Sequence, residues 1–342
     1  MPPLVVRCSA FGEMVLLTAL LKQLHVRFGR PVDVISSGPW TRPLLADQPG
    51  IGTVMVMRSR KTPYWVNLSQ QRLVRWLRER GPGPTWCGDA TGVAHALLTR
   101  AGVPDDYVCD SRVFPWVDGE HFVDRWIRFG MLTPPAFEGL LPQAQTRIPS
   151  AAALGVSTSA GLELDRWLAQ RGLAECPYIA IQAGNKRDMR GWLRRRPTNT
   201  KYWPETRWGR LLHTLHELHP ECAIVLLGVR QEHRLNADIA RLAALPCVYN
   251  VAGDVPISIL LPLLQRAVGM IAVDTGPAHA AAALGCPTVA LFGTADPRLY
   301  RPGGTSTPAI ALTGQVDGKP GMLGITVEAV VAAWMRLRGE VA

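Results

Sequence analysis

The chain has 342 residues, nearly half of them apolar, enough for two domains with cores of their own and too apolar for general disorder. The formal net charge is +10, and all but five of the 37 basic residues are arginine, whose planar fork suits carboxylate and phosphate, so an anionic partner fits. No run reaches the ~18 apolar residues of a membrane span, Arg7 and Glu13 interrupt the start that a secretory leader would need, and seven cysteines without metal-ligand spacing read as buried thiols of a reducing, cytoplasmic compartment.

In chain order, "LVVRCS" (4–9) predicts a buried strand, "AFGE" (10–13) a loop, "MVLLTALLKQLHVRF" (14–28) a helix and "PVDVISS" (31–37) a second strand. "GTVMVM" (52–57) reads as a strand, and "SQQRLVRWLRERG" (69–81) as a helix ending at glycine. The stretch 84–103 gives a strand, a turn at Asp89 and a helix, and 120–132 another helix. Between about 133 and 160 the pattern weakens into Pro, Gly, Ser and Ala, the composition of a linker. The rhythm then restarts. Helices are expected at 161–172, 208–218, 230–243, 257–267 and 327–339, and strands at 177–184, 222–228 and 247–253.

Two alternating series with a break between them predict an α/β chain of two doubly wound domains, 1–150 and 161–342, with the final helix a candidate to pack back on the first. Ligands of such folds bind beyond the carboxyl ends of the strands, and a gap between facing domains is the expected site. No GxGxxG follows the first strand, which disfavours a dinucleotide dehydrogenase. No helix-turn-helix, RNP or zinc motif accompanies the positive charge, which disfavours nucleic acid.

The most informative stretch is "AVDTGPAHAAAALGCPTVALFG" (272–293). A strand ends at Asp274. Thr275 is placed to cap a helix, Gly276 removes side-chain bulk, Pro277 fits the first turn, and His279 adds a donor. The helix start then offers amide groups and the positive end of its dipole, a site for an anion and above all for phosphate. The same residues would also build a well-capped helix with nothing bound.

This stretch closely resembles the signature of family 9 glycosyltransferases, the heptosyltransferases of lipopolysaccharide core assembly. Similar family elements recur at "RCSAFGEMVLLTALLKQLHVRF", "GDATGVAHALLTRAG", "HFVDRW", "YWPETRWGRLLHTL" and "NVAGDVPISILLPLLQRA". The resemblance implies the GT-B arrangement of two Rossmann-like domains facing across a cleft. The first would take the acceptor and the second a nucleotide sugar, usually ADP-heptose, as substrate, with no metal or other cofactor. It implies donor contacts from Gly184, Asn185, Lys201, Glu232, Asp274, Thr275, Gly276 and His279. Lys201 would stabilise the leaving diphosphate and Glu232 would bond the ribose. On the charge pattern alone, Glu232 also reads as a solvated acid of a first helical turn and Lys201 as a surface lysine.

Two departures stand out. The family loop S-x-x-G-D ends in the aspartate proposed as general base, whereas this chain has "SAFGE", with Glu13. Glutamate keeps the carboxylate and adds a methylene, so Glu13 is either the base or a helix-start acid that only favours the dipole. The second is a longer basic loop, 185–204, carrying Lys186, Arg187, Arg190, Arg194, Arg195 and Arg196. It reads as a lid, as a grip on an anionic acceptor, or as a solvated loop. In the first half, Arg58, Arg60 and Lys61 follow a strand end where heptosyltransferases tend to carry basic residues for the phosphates and acidic sugars of the acceptor. With "RLVRWLRER" they also suit an anionic membrane surface, where each cation adds about 1 kcal/mol.

The expectation is therefore an inverting glycosyltransferase that moves heptose or a related sugar from an ADP-sugar to a lipopolysaccharide-core or similar anionic glycan or glycolipid acceptor. It would be cytoplasmic, with peripheral contact at the inner membrane surface and no nucleic-acid partner. The alternatives are a family 9 enzyme with another acceptor, a surface polysaccharide or small metabolite, and a nucleotide-sugar-binding protein without turnover.

Overall fold

In the computed structural model, which describes residues 1–142, 151–185, 199–303 and 309–339, the chain divides into two units, Met1–Gly155 and Val156–Ala342. The first unit begins with β1 (Leu4–Val6), α1 (Phe11–Phe28) and β2 (Val32–Ser37), then α2 (Thr41–Leu45) and β3 (Ile51–Met57). It continues with α3 (Leu68–Arg80), β4 (Thr85–Cys87), α4 (Gly92–Ala101), β5 (Val108–Asp110) and α5 (Phe122–Gly130). Its five strands lie in the order β3-β2-β1-β4-β5, and every pairing is parallel.

All three residues of β1 and of β4 are buried, as strands covered on both faces must be. On one side Leu73, Val74 and Leu77 of α3 and Leu97 and Leu98 of α4 pack on Leu4, Val6 and Ile35. α1 packs on α5 and buries an unbroken run from Met14 to Leu21. This helix starts three residues earlier than its apolar pattern suggests, so Glu13 lies in its first turn rather than in a loop. Residues 151–155 stay with the first unit, because Gly155 exchanges two hydrogen bonds with the Gln48 amide, at 2.7 and 3.0 Å.

The second unit comprises α6 (Thr158–Ala169), β6 (Tyr178–Gln182), α7 (Glu205–Leu218), β7 (Ala223–Leu226), α8 (His233–Ala243) and β8 (Val248–Asn250). Then come α9 (Ile257–Arg266), β9 (Gly269–Val273), α10 (Gly276–Ala283), β10 (Thr288–Phe292) and α11 (Pro297–Tyr300). It closes with β11 (Ala309–Thr313), the small antiparallel pair β12 (Gln315–Val316) and β13 (Lys319–Pro320), and α12 (Val327–Arg338). Its main sheet is parallel throughout, in the order β11-β10-β9-β6-β7-β8.

Counted from the first strand of the unit, that is the order 3-2-1-4-5-6 of dinucleotide-binding folds, with the direction of winding reversing between β6 and β9. The corresponding point of the first unit lies between β1 and β4. In α12, Val330 and Trp334 are fully buried with Trp203, Trp208 and Ile271, and the Trp334 indole donates to His219 at 2.9 Å.

Candidate functional site

In the second unit the two strands flanking the reversal, β6 and β9, deliver most of the expected donor residues. β6 ends at Gln182, whose amide donates to the Gly184 carbonyl at 3.0 Å and to Glu232 Oε2 at 3.3 Å. Glu232 stands on a single 3-10 turn before α8, only 2% exposed, and accepts the Val229 amide at 2.8 Å. A buried carboxylate needs such donors, since desolvation otherwise drives it neutral. It also needs room. A Cβ at Gly184 would stand 2.5 Å from Glu232 Oε1, and one at Gly228 2.8 Å from Oε2. Gly184, the buried Asn185 and Glu232 are thus brought together, and glycine at 184 is required by the approach of the carboxylate.

β9 leads directly to Asp274. The Lys201 ammonium donates to the Asp274 carbonyl at 2.8 Å and to its Oδ2 at 2.5 Å, while His279 Nε2 stands 3.7 Å from Oδ1. Burial opposes ionisation of this carboxyl, but the imidazole of His279 and the charge and hydrogen bond of Lys201 outweigh it, and its pKa lies below the ordinary aspartate value. Lys201 is carried to this spot by a close backbone passage: a Cβ on Gly293, just after β10, would fall 1.7 Å from the Thr200 carbonyl oxygen.

Thr275 occupies the N-cap position of α10, but its hydroxyl donates backwards to the Val273 carbonyl at 2.9 Å, and no side chain among the described residues caps the helix. Pro277 sits in the first turn as expected. His279 is buried, and its Nδ1 has no hydrogen-bond partner among the described residues.

The chemistry of this cluster follows from its charges. An ammonium has three donors, and Asp274 takes two of those of Lys201. The third, on a side chain 30% exposed, together with the uncapped start of α10, is suited to an anion. Asp274 holds Lys201 by two hydrogen bonds and stands beside His279. Among the described residues no cluster of three or more His, Cys, Asp or Glu is placed to hold a metal ion. The basic loop residues Lys186, Arg187, Arg190, Arg194, Arg195 and Arg196 lie outside the described residues.

In the first unit, Glu13 projects from the first turn of α1 with its side chain 42% exposed. Its Oε2 accepts from the Arg7 guanidinium at 2.6 Å and from the Ser9 hydroxyl, while Oε1 takes part in no hydrogen bond among the described residues. Arg7 is held in turn by the Gly88 carbonyl after β4 and by the Trp126 ring, 5.3 Å from its guanidinium carbon. The sequence reading missed Arg7 and Ser9. The S-x-x-x-E spacing, which places Ser9 one helical turn before Glu13, was the available signal.

Of the three basic residues after β3, Arg60 reaches the carboxyl end of β1 and donates to the Cys8 carbonyl at 2.9 Å. Arg58 and Lys61 are exposed in the turn beyond, so only one of the three converges on the strand that leads to Glu13. Burial, and then the nearby Asp89 carboxylate, push the Cys8 thiol up to about 12, which removes it as a nucleophile. All seven cysteines are free, five of them buried.

Residues 156–317 match the model of glycosyltransferase family 9 (heptosyltransferase). The chain is 23% identical over 322 residues to lipopolysaccharide heptosyltransferase 3 of Escherichia coli, covering 85% of this chain and 83% of that protein. In structure it is similar to E. coli ADP-heptose lipopolysaccharide heptosyltransferase II, with a TM-score of 0.75, 22% identity and 100% of both chains covered. It is also similar to E. coli heptosyltransferase WaaC with ADP, with a TM-score of 0.69, 17% identity, and 98% of this chain and 99% of that one covered. Its two parallel sheets are those of the GT-B heptosyltransferase fold.

Proposed function

We propose that this chain, a member of glycosyltransferase family 9 through its domain at residues 156–317, moves heptose from ADP-heptose to a lipopolysaccharide-core type acceptor with inversion at the anomeric carbon. That it is a glycosyltransferase follows from the family. The donor, the acceptor and the residue roles are our reading. The observation that carries it is the Lys201 ammonium, fixed on Asp274 beside the uncapped start of α10 at the winding reversal of the second sheet.

In this reading Lys201, His279 Nδ1 and the backbone of Thr275 and Gly276 meet the diphosphate and sugar. Gly184 and Asn185 line the approach, and Glu232 bonds the ribose. The acceptor hydroxyl attacks the anomeric carbon and gives its proton to Glu13 Oε1. The bond from that carbon to the β-phosphate oxygen breaks, and ADP leaves with the electron pair. Lys201 stabilises the charge that develops on the departing oxygen. Arg7 and Ser9 hold Oε2 of Glu13, which turns Oε1 outward. The extra methylene of glutamate over aspartate favours an acceptor hydroxyl set further from α1. Arg60, whose guanidinium reaches the carboxyl end of β1, would bind the acceptor's anionic groups. We place the reaction in the cytoplasm, at the inner membrane surface where a glycolipid acceptor is met.

Replacing Glu13→Gln tests the reading. Transfer from ADP-heptose should fall by about 10²–10⁴-fold, the usual contribution of a general base, with ADP affinity kept. Unchanged turnover would remove Glu13 from the mechanism.

A further inference from the structure

The turn after β3 carries a feature that sugar transfer does not use. From residue 48 to 78 the chain has no aspartate or glutamate, but it has six cations: Arg58, Arg60, Lys61, Arg72, Arg75 and Arg78. Within the same stretch Trp65, Val66 and Leu68 are 79%, 59% and 66% exposed. Three large apolar side chains held out within four positions form a patch rather than scattered surface hydrophobics.

The patch is built, not frayed. Asn67 and Gln70 are buried amides, and both donate to the Ser59 carbonyl, at 2.9 and 3.0 Å, and to that of Thr62. Gln71 donates to the carbonyls of Tyr64 and Trp65, at 3.1 and 2.9 Å. Tyr64 packs inward beside Arg100 and the core. Three amide side chains thus fix the 3-10 turn Tyr64–Val66 so that its neighbouring apolar side chains face outward.

The cations flank this tip. The Arg58 amide donates to Ser69 Oγ at 3.2 Å, which places Arg58 against the start of α3. Leu68, Arg72 and Arg75 recur at i, i+4 and i+7, one face of α3, opposite its buried Leu73, Val74 and Leu77. Glu79 is the first acid on that face, more than two turns from Leu68. No ion pair among the described residues involves Arg58, Lys61, Arg72 or Arg75. Arg60 differs, since its guanidinium turns to the Cys8 carbonyl.

An indole with two aliphatic side chains, ringed by cations that no acid neutralises, is the composition of a segment that lies in a membrane interface. We propose that residues 58–75 form a docking surface for an anionic phospholipid bilayer, with Trp65, Val66 and Leu68 inserted at headgroup depth and Arg58, Lys61, Arg72 and Arg75 on lipid phosphates. The contact is peripheral, since among the described residues no helix is long and apolar enough to cross a membrane. The surface deepens the membrane-side part of the proposed function but does not depend on the transfer chemistry.

Flotation of the full chain with vesicles tests this. The protein should float with vesicles of phosphatidylethanolamine and phosphatidylglycerol, float poorly with phosphatidylcholine alone, and be released by high salt. Arg72→Gln with Arg75→Gln should weaken the partition about 30-fold, from the roughly fivefold contribution of each interfacial cation. Trp65→Ser with Leu68→Gln should weaken it at least about tenfold, with melting temperature and ADP affinity unchanged because these side chains are solvent-exposed. Glu13→Gln should float like the wild type, so failure of the catalytic reading and failure of this one are separable. Equal flotation of the variants and the wild type, no preference for anionic vesicles, or self-association without lipid that the same variants abolish would overturn the proposal.

Discussion

Glu13 is informative because its two oxygens differ in surroundings. Arg7 and Ser9 both bind Oε2, and Arg7 is itself tied to the Gly88 carbonyl and the Trp126 face. In the proposed reaction Arg7 would be a positioning residue, holding Oε2 of Glu13 and leaving Oε1 for the acceptor. Arg7→Met should lower kcat by about 10–100-fold, the scale on which misplacement of a reacting group is felt, and leave ADP affinity unchanged. In the Glu13→Gln background the same change should add nothing, because the oriented group is already gone. Steady-state kinetics on the two single variants and the double variant check this, and strictly additive losses would separate Arg7 from Glu13. Arg7 escaped the sequence reading because its partners are set by the fold. Glu13 is six residues on, but Gly88 and Trp126 are far along the chain, and no periodicity reports such contacts.

Among the elements, β9 and α10 decide the electrostatics of the second unit. Asp274 is buried, which alone would raise its pKa, yet His279 and Lys201 hold it below the ordinary aspartate value. A carboxyl whose folded pKa is depressed contributes stability that is fully present above its unfolded value and lost as pH falls through the folded one. Denaturant unfolding should therefore show the wild type losing more stability than Asp274→Asn as pH drops below about 4. At neutral pH the same variant should be destabilised by on the order of 2 kcal/mol, since it leaves a half-buried Lys201 without its counter-charge. Equal acid sensitivity would contradict this role. The element itself was legible: strand end, glycine, proline in the first turn and a run of alanines. What the residues did not reveal is that Thr275 turns its hydroxyl back to Val273, leaving the helix start uncapped. Nor did they show that a lysine 73 positions away reaches Asp274, a pairing set by the Thr200–Gly293 backbone contact.

For the molecule as a whole, the repeated alternation of apolar runs and amphipathic helices foretold two parallel sheets, and long elements such as α1, α7 and α12 stand close to where the pattern put them. Short ones did not announce themselves. α2 spans five residues with a proline inside, β5 is the triplet Val108–Asp110, and β11 is an edge strand; none is long enough to show a period. In each unit the candidate site residues gather near the point where the winding reverses: Arg7 and Glu13 in the first, Gly184, Lys201, Glu232 and Asp274 in the second. The proposed transfer therefore requires the second unit to take a diphosphate. Titration calorimetry of ADP into the full chain, wild type beside Lys201→Met, tests that most directly. ADP binding should be saturable and should weaken at least about tenfold in the variant, the worth of one charge-assisted hydrogen bond. No heat at millimolar ADP, or equal affinity in both proteins, would contradict it.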